Sequence, residues 1–189
     1  MEEPDKKYLY HMVPDDMKSN EEGRQVLYPL NMLKEKFPGL YKIEIEKYAG
    51  TDNKRKTIPE RIIPTLENAA WGDVIHLTAI HPEDLKKALV EAGFQPREFK
   101  FYQIDPDSLD PEQTTIYLYK DDEEKESPES FTEYNPKKLQ KHSVVPEATK
   151  KYYQGEVDKG KKKAFLFVRI PHIFHKGPID VSNFPVIAV

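Results

Sequence analysis

Asp73-Val74-Ile75-His76-Leu77-Thr78, followed by Ala79-Ile80-His81-Pro82-Glu83-Asp84, is the stretch whose reading decides the fold class. Its first half is a compact apolar run, rich in β-branched residues and bounded by turn formers, which predicts a strand. Its second half opens a helix: proline fixes φ at the first helical position, and Glu83 and Asp84 face the positive end of the helix dipole. Leu85, Ala88, Leu89 and Ala92 follow at helical spacing, and Gly93 is placed to end the helix in a left-handed turn. A strand, a tight turn and a helix in one continuous pattern predict a single α/β domain that mixes helix and strand.

Toward the N-terminus, Tyr8 to Val13 (YLYHMV) is aromatic and β-branched and stops at Pro14, so it predicts a strand with His11 near its exit. Leu40, Tyr41, Ile43 and Tyr48, with the break at Phe37-Pro38-Gly39, suit two short helices between residues 30 and 50, the second stopping at Gly50. The alternation of Ile43 and Ile45 also fits a strand. Residues 51 to 72, with Pro59, Pro64 and the only tryptophan, read as loop with one or two helical turns.

Toward the C-terminus, Glu98 to Ile104 and Thr114 to Tyr119 both alternate with period two and are expected to pair with each other. Asp121 to Pro136 is the most polar run and is expected to be a mobile excursion. Glu147 to Lys159 predicts a short helix, Ala164 to Ile170 (AFLFVRI) the most strongly buried strand, and Pro185 to Val189 a last strand. The 189 residues suit one domain, 1–189, with insertions at 30–68 and 121–163.

Composition narrows the function classes. A net charge of -4 disfavours a general attraction to nucleic acid or anionic lipid, and Lys161 to Lys163 reads as a solvated turn. The absence of cysteine excludes a thiol nucleophile and a disulfide framework. The charged start MEEPDKKYLY is unlike a signal peptide, and no run approaches the roughly 18 apolar residues of a membrane span. No membrane partner and a cytoplasmic home are expected. GxSxG, GxxxxGK[ST] and GxGxxG are all missing, which disfavours serine hydrolases, P-loop enzymes and dinucleotide-type Rossmann domains.

Four of the six histidines fall in two close groups, His76 with His81 and His172 with His175. The spacing of His76 and His81 spans a strand end and a helix start, unlike the helical ligand pairs of metalloproteases, so no metal is assigned. The more informative pair is His11 and His76, each in an apolar strand near its end. There one ring nitrogen can be held by the backbone while the other is offered to a ligand. The plain structural alternative is two core histidines that only satisfy their own hydrogen bonds.

Tyr8-Leu9-Tyr10-His11, then Val74-Ile75-His76-Leu77-Thr78-Ala79, then Ile104-Asp105-Pro106-Asp107-Ser108-Leu109, and finally Ile170-Pro171-His172-Ile173-Phe174-His175-Lys176-Gly177-Pro178-Ile179 form an ordered series. In that order they resemble a small, uncharacterised bacterial domain family. Its members show an initial I-Y-H, a later F-I-H-L-S-T, an I-D-P-x-x-L and a closing F-P-H-I-Y-G-P-L. That family is grouped by fold with the ADP-ribosyltransferase-like proteins, near the RNA 2'-phosphotransferases. The resemblance implies an α+β fold of split, curved antiparallel sheets with peripheral helices and an NAD-type cleft between the halves.

In that arrangement His11 would bond the ribose and His76 would lie near the nicotinamide end or the acceptor, as the two catalytic candidates. Tyr10 and Thr78 would line the cleft, and Arg169 or His172 would meet an anion. The matched segments cover about a third of the chain, and the run from Ala164 to Ile170 offers no carboxylate for a transferase reaction. The leading expectation is a protein binding NAD or another nucleotide-like small molecule, with a protein or RNA acceptor if it transfers. The alternatives are a non-catalytic interaction domain of the same fold and a metal site built from His76, His81, His172 and His175.

Overall fold

The computed structural model describes residues 7–15, 18–19, 21–46, 48, 56–119 and 127–189. The predicted strand at His11 forms as β1 (Leu9–Met12), followed by a small hairpin of β2 (Lys18–Ser19) and β3 (Gln25–Leu27). The two short helices form as α1 (Leu30–Lys36) and α2 (Pro38–Glu46), parted only by Phe37. Pro38 opens α2 because a proline at the first helical position loses no hydrogen bond. The expected stop at Gly50 lies outside the described residues. Two 3-10 turns, Ile58–Glu60 and Trp71–Asp73, occupy the stretch read as loop.

The deciding stretch folds as read, into β4 (Val74–Leu77) and α3 (Pro82–Ala92), closed by Gly93 at φ 111°. His81 caps α3, its Nδ1 accepting the Glu83 N–H at 3.2 Å. Leu85, Ala88 and Leu89 face inward at helical spacing. Next come β5 (Lys100–Ile104), β6 (Thr114–Tyr117), β7 (Phe131–Glu133), α4 (Glu147–Asp158), β8 (His172–Lys176), β9 (Ile179–Asp180) and β10 (Val186–Ala188).

These strands build three antiparallel sheets, ordered β1-β5-β10, β2-β3-β9 and β4-β8-β6-β7. The first and third touch at a single bridge, where Tyr10 N–H donates to the Thr78 carbonyl at 2.8 Å and Thr78 N–H to Tyr10 at 3.1 Å. Leu9, Ile75, Leu77, Ile104, Ile116 and Ile173 form the core around this junction. A second cluster under α3 and α4 centres on Ile80, Leu85, Phe101 and Tyr153, and a third, aromatic one joins Trp71, Tyr117, Phe131 and Phe174. Among the described residues no helix is long and apolar enough to cross a membrane.

Three expectations are corrected. The alternating segments at 98–104 and 114–119 do not pair with each other: β5 lies between β1 and β10, and β6 between β7 and β8. Alternation reports a buried face and says nothing of which strand is the neighbour. The polar run 121–136 contains β7, paired with β6 and anchored by buried Phe131 and Tyr134; residues 121–126 lie outside the described residues.

The third correction concerns Ala164 to Ile170, which forms a series of bends, with Phe165 64% exposed and Arg169 at φ 58°. Its carbonyls bond to side chains of α4 instead of a strand: Tyr153 Oη donates to Leu166 and Thr149 Oγ1 to Arg169. The strand begins only after Pro171. Since Tyr153 is fully buried, Tyr153→Phe strands the Leu166 carbonyl and is expected to cost about 1–3 kcal/mol in urea unfolding with little change in slope.

Candidate functional site

Pairing between β1 and β4 does not continue past the Tyr10–Thr78 bridge. Instead, the two strands become walls of a cleft of about 810 Å³. His11 comes from β1, His76 from β4 and His172 from the start of β8, all three partly buried at its surface. Trp71 and Phe167 border the same space. β3, α1 and α2 close the other side with Leu30, Leu33, Leu40 and Ile43. Residues 30–46 thus supply a wall of the site. The volume falls in the usual range for small-molecule sites.

Each histidine has a distinct hydrogen-bond state. His11 Nδ1 lies 2.6 Å from the Met12 carbonyl. A carbonyl only accepts, so Nδ1 carries the proton and Nε2 keeps a free lone pair. His76 Nε2 lies 3.3 Å from the Trp71 carbonyl and is therefore its protonated nitrogen, leaving Nδ1 as the acceptor. His172 makes no hydrogen bond with any described residue; its ring stacks on Phe174, centroids 6.0 Å apart, and lies 6.1 Å from His76. Loss of solvent holds all three rings neutral, depressing His11 and His76 to about 4 and His172 to about 3. A charge on His76 would further oppose charging of His11 or His172.

A fixed turn supports His76. Trp71 packs edge-on against Phe174 at 4.8 Å and against His76 at 5.5 Å, and its Nε1 is buried without a hydrogen-bond partner among the described residues. Asp73 holds the turn, accepting from the Ala70 N–H at 2.8 Å and from Asn31 Nδ2 of α1 at 2.7 Å. Gly72 makes that approach feasible, since a Cβ there would stand 2.7 Å from Asn31 Oδ1. One polar link therefore joins the histidine wall to the helical wall.

The other sequence candidates are dispersed. Tyr10 borders the cleft, but its ring is 5% exposed, belongs to the cluster under α3, and meets His81 at 5.2 Å. Burial pushes its hydroxyl up to about 12. Thr78 also borders the cleft, with its hydroxyl oxygen accepting the Ile80 N–H at 3.1 Å. Arg169 is not among the residues that line it.

The four-histidine metal arrangement does not assemble. His175 lies on the opposite sheet face from His172 and bonds Thr114 Oγ1 at 2.9 Å, while His81 caps α3. Among the described residues no group of three or more metal-ligating side chains is arranged to hold an ion.

Sequence reading missed Phe167, the α1–α2 wall, and the charged residues Asp15, Lys18 and Glu44 at the cleft. Helical spacing at 30–46 was a visible signal that an apolar face existed; what it faced was not. Comparison with family profiles, curated proteins and solved structures finds no match to this chain.

Two outcomes follow from this geometry. An unfolded histidine takes up its proton near 6.5, whereas these three resist it down to about 4 or 3 when folded. The unfolded chain therefore binds more protons in that window, so their contribution to stability is complete above 6.5 and drains as pH falls toward 4. The melting temperature is expected to drop from pH 7 to pH 4.5, and His172→Phe to flatten that slope. Gly72→Ala is expected to displace Asn31, costing about 1–3 kcal/mol and altering the Trp71 fluorescence. An unchanged melting curve and emission would show that the link does not hold the walls together.

Proposed function

We propose that this protein binds NAD or a related nucleotide in the cleft between β1 and β4, with His11 and His76 orienting the ligand. The observation that carries the reading is the convergence of two backbone-anchored neutral imidazoles, each with its remaining lone pair unclaimed by any described residue, in one open cleft. Such acceptors suit ligand hydroxyls and amides: ribose hydroxyls for one ring, and a second hydroxyl or a carboxamide N–H for the other.

The motif order supports an ADP-ribosyltransferase-like arrangement, and so does the single-bridge junction at Tyr10 and Thr78, from which two antiparallel sheets part around the cleft. Binding is the part of this activity that the residues favour. Transfer of an ADP-ribosyl group calls for a carboxylate beside the reacting carbon, and the carboxylates at the cleft are Asp15 and Glu44, outside the resembling motifs.

Thermal denaturation with and without NAD tests the reading on the parent chain, His11→Ala and His76→Ala. A ligand that binds only the folded chain stabilises it by about 2.7 kcal/mol at a hundredfold excess over Kd. For a chain of this size that raises the melting temperature by roughly 5–10 °C. Each alanine variant is expected to lose most of that gain. The proposal fails if millimolar NAD and ADP-ribose leave the parent unshifted, or if both variants respond as the parent does.

A further inference from the structure

The cleft's charge and hydrogen-bond inventory points to a particular part of a nucleotide. Among the described residues lining it, Lys18 is the only cationic side chain, and Asp15 and Glu44 are its carboxylates. Lys18 also lies over the Phe37 ring, 6.0 Å from its centroid, and among the described residues no arginine lines the cleft. Tight phosphate sites gather several donors, often the fork of an arginine, because the anion must exchange its whole hydration shell for protein bonds.

Here the groups facing inward are of the other kind. His11 Nε2 and His76 Nδ1 are acceptors, and a phosphate oxygen set against either would bring two lone pairs together. The opposite wall is mostly apolar, with Glu44 of α2 as its carboxylate among the described residues. α2 buries none of its residues, Ile43 is 59% exposed, and Leu40 and Ile43 border the cleft. A planar, uncharged ring laid on that wall would cover apolar surface that no described residue covers, Ile43 included, at about 25 cal/mol per Å² removed from water.

We propose that the cleft recognises the nucleoside portion of its ligand, sugar hydroxyls at the histidines and base on the α1–α2 wall, and leaves the phosphates at the mouth without a tight grip. This rests on the reading of the cleft as a nucleotide site and narrows it: the preferred class is a neutral or cationic nucleoside, with the phosphorylated forms gaining little.

Isothermal titration of the full chain with adenosine, nicotinamide riboside, ADP-ribose, NAD and inorganic pyrophosphate, each at low and high salt, tests it. At least one nucleoside is expected to bind within about threefold of NAD, with salt changing either Kd by less than about threefold. Pyrophosphate is expected not to bind. Glu44→Lys, which reverses a charge at the cleft, should improve NAD binding several-fold relative to its effect on that nucleoside; the melting curve of the unliganded variant reports on its fold.

The inference is overturned if NAD and ADP-ribose bind more than about tenfold tighter than both nucleosides and that advantage collapses in high salt. In that case the nucleotide reading survives without it. Nucleoside binding with no dinucleotide binding keeps the inference and removes NAD. Binding by none of the five removes both.

Discussion

A single pair of backbone hydrogen bonds, between Tyr10 and Thr78, is the constraint on which the rest of the molecule depends. Tyr10 sits in β1, already committed to β5, and Thr78 directly follows β4, already committed to β8. Continued pairing would have made one sheet and left no interior space beside the histidines. Because the bridge is isolated, the sheets meet at one point and His11 and His76 both border the gap beside it. The aliphatic cluster of Leu9, Ile75, Leu77 and Ile104 packs around the junction, and burial of such side chains contributes about 1.5–3 kcal/mol each to holding it.

The same packing sets the chemistry of the gap. Histidines on open surfaces titrate near neutrality; here desolvation keeps three imidazoles uncharged, and main-chain carbonyls settle which nitrogen of His11 and of His76 bears the proton. The result is a pair of directional acceptors in a largely apolar setting. Such a surface discriminates by hydrogen-bond polarity more than by charge. It is supported at a distance by the Asn31–Asp73 bond, which couples α1 to the turn whose carbonyl holds His76.

Local pattern was legible wherever neighbours along the chain decide the outcome. The strand at Val74–Leu77, the proline-opened helix that follows, its glycine stop and the broken helix pair at 30–46 all depend on side-chain spacing, fixed φ and capping within a few residues. His11 and His76 were legible as candidates for the same reason, each standing in a short apolar strand. Pairing was not legible: β5 and β6 both alternate, yet they belong to different sheets. The run Ala164 to Ile170 is apolar enough for a buried strand, but the hydroxyls of Tyr153 and Thr149 take its carbonyls and hold it in bends that present Phe167 to the cleft.

The sequence by itself determined the local elements at 9–12, 30–46 and 74–92, the mixture of helix and strand, and the two histidines worth following, because these depend on contacts and preferences close along the chain. Only the tertiary structure decided that His11, His76 and His172 face one cleft while His81 and His175 are drawn into a helix cap and a threonine bond. It alone decided that residues 30–46, with no obvious role in the sequence, form the opposite wall. Convergence of residues far apart in the chain depends on which sheet each strand joins, and that is settled by the combined burial of many side chains. No single segment contains it.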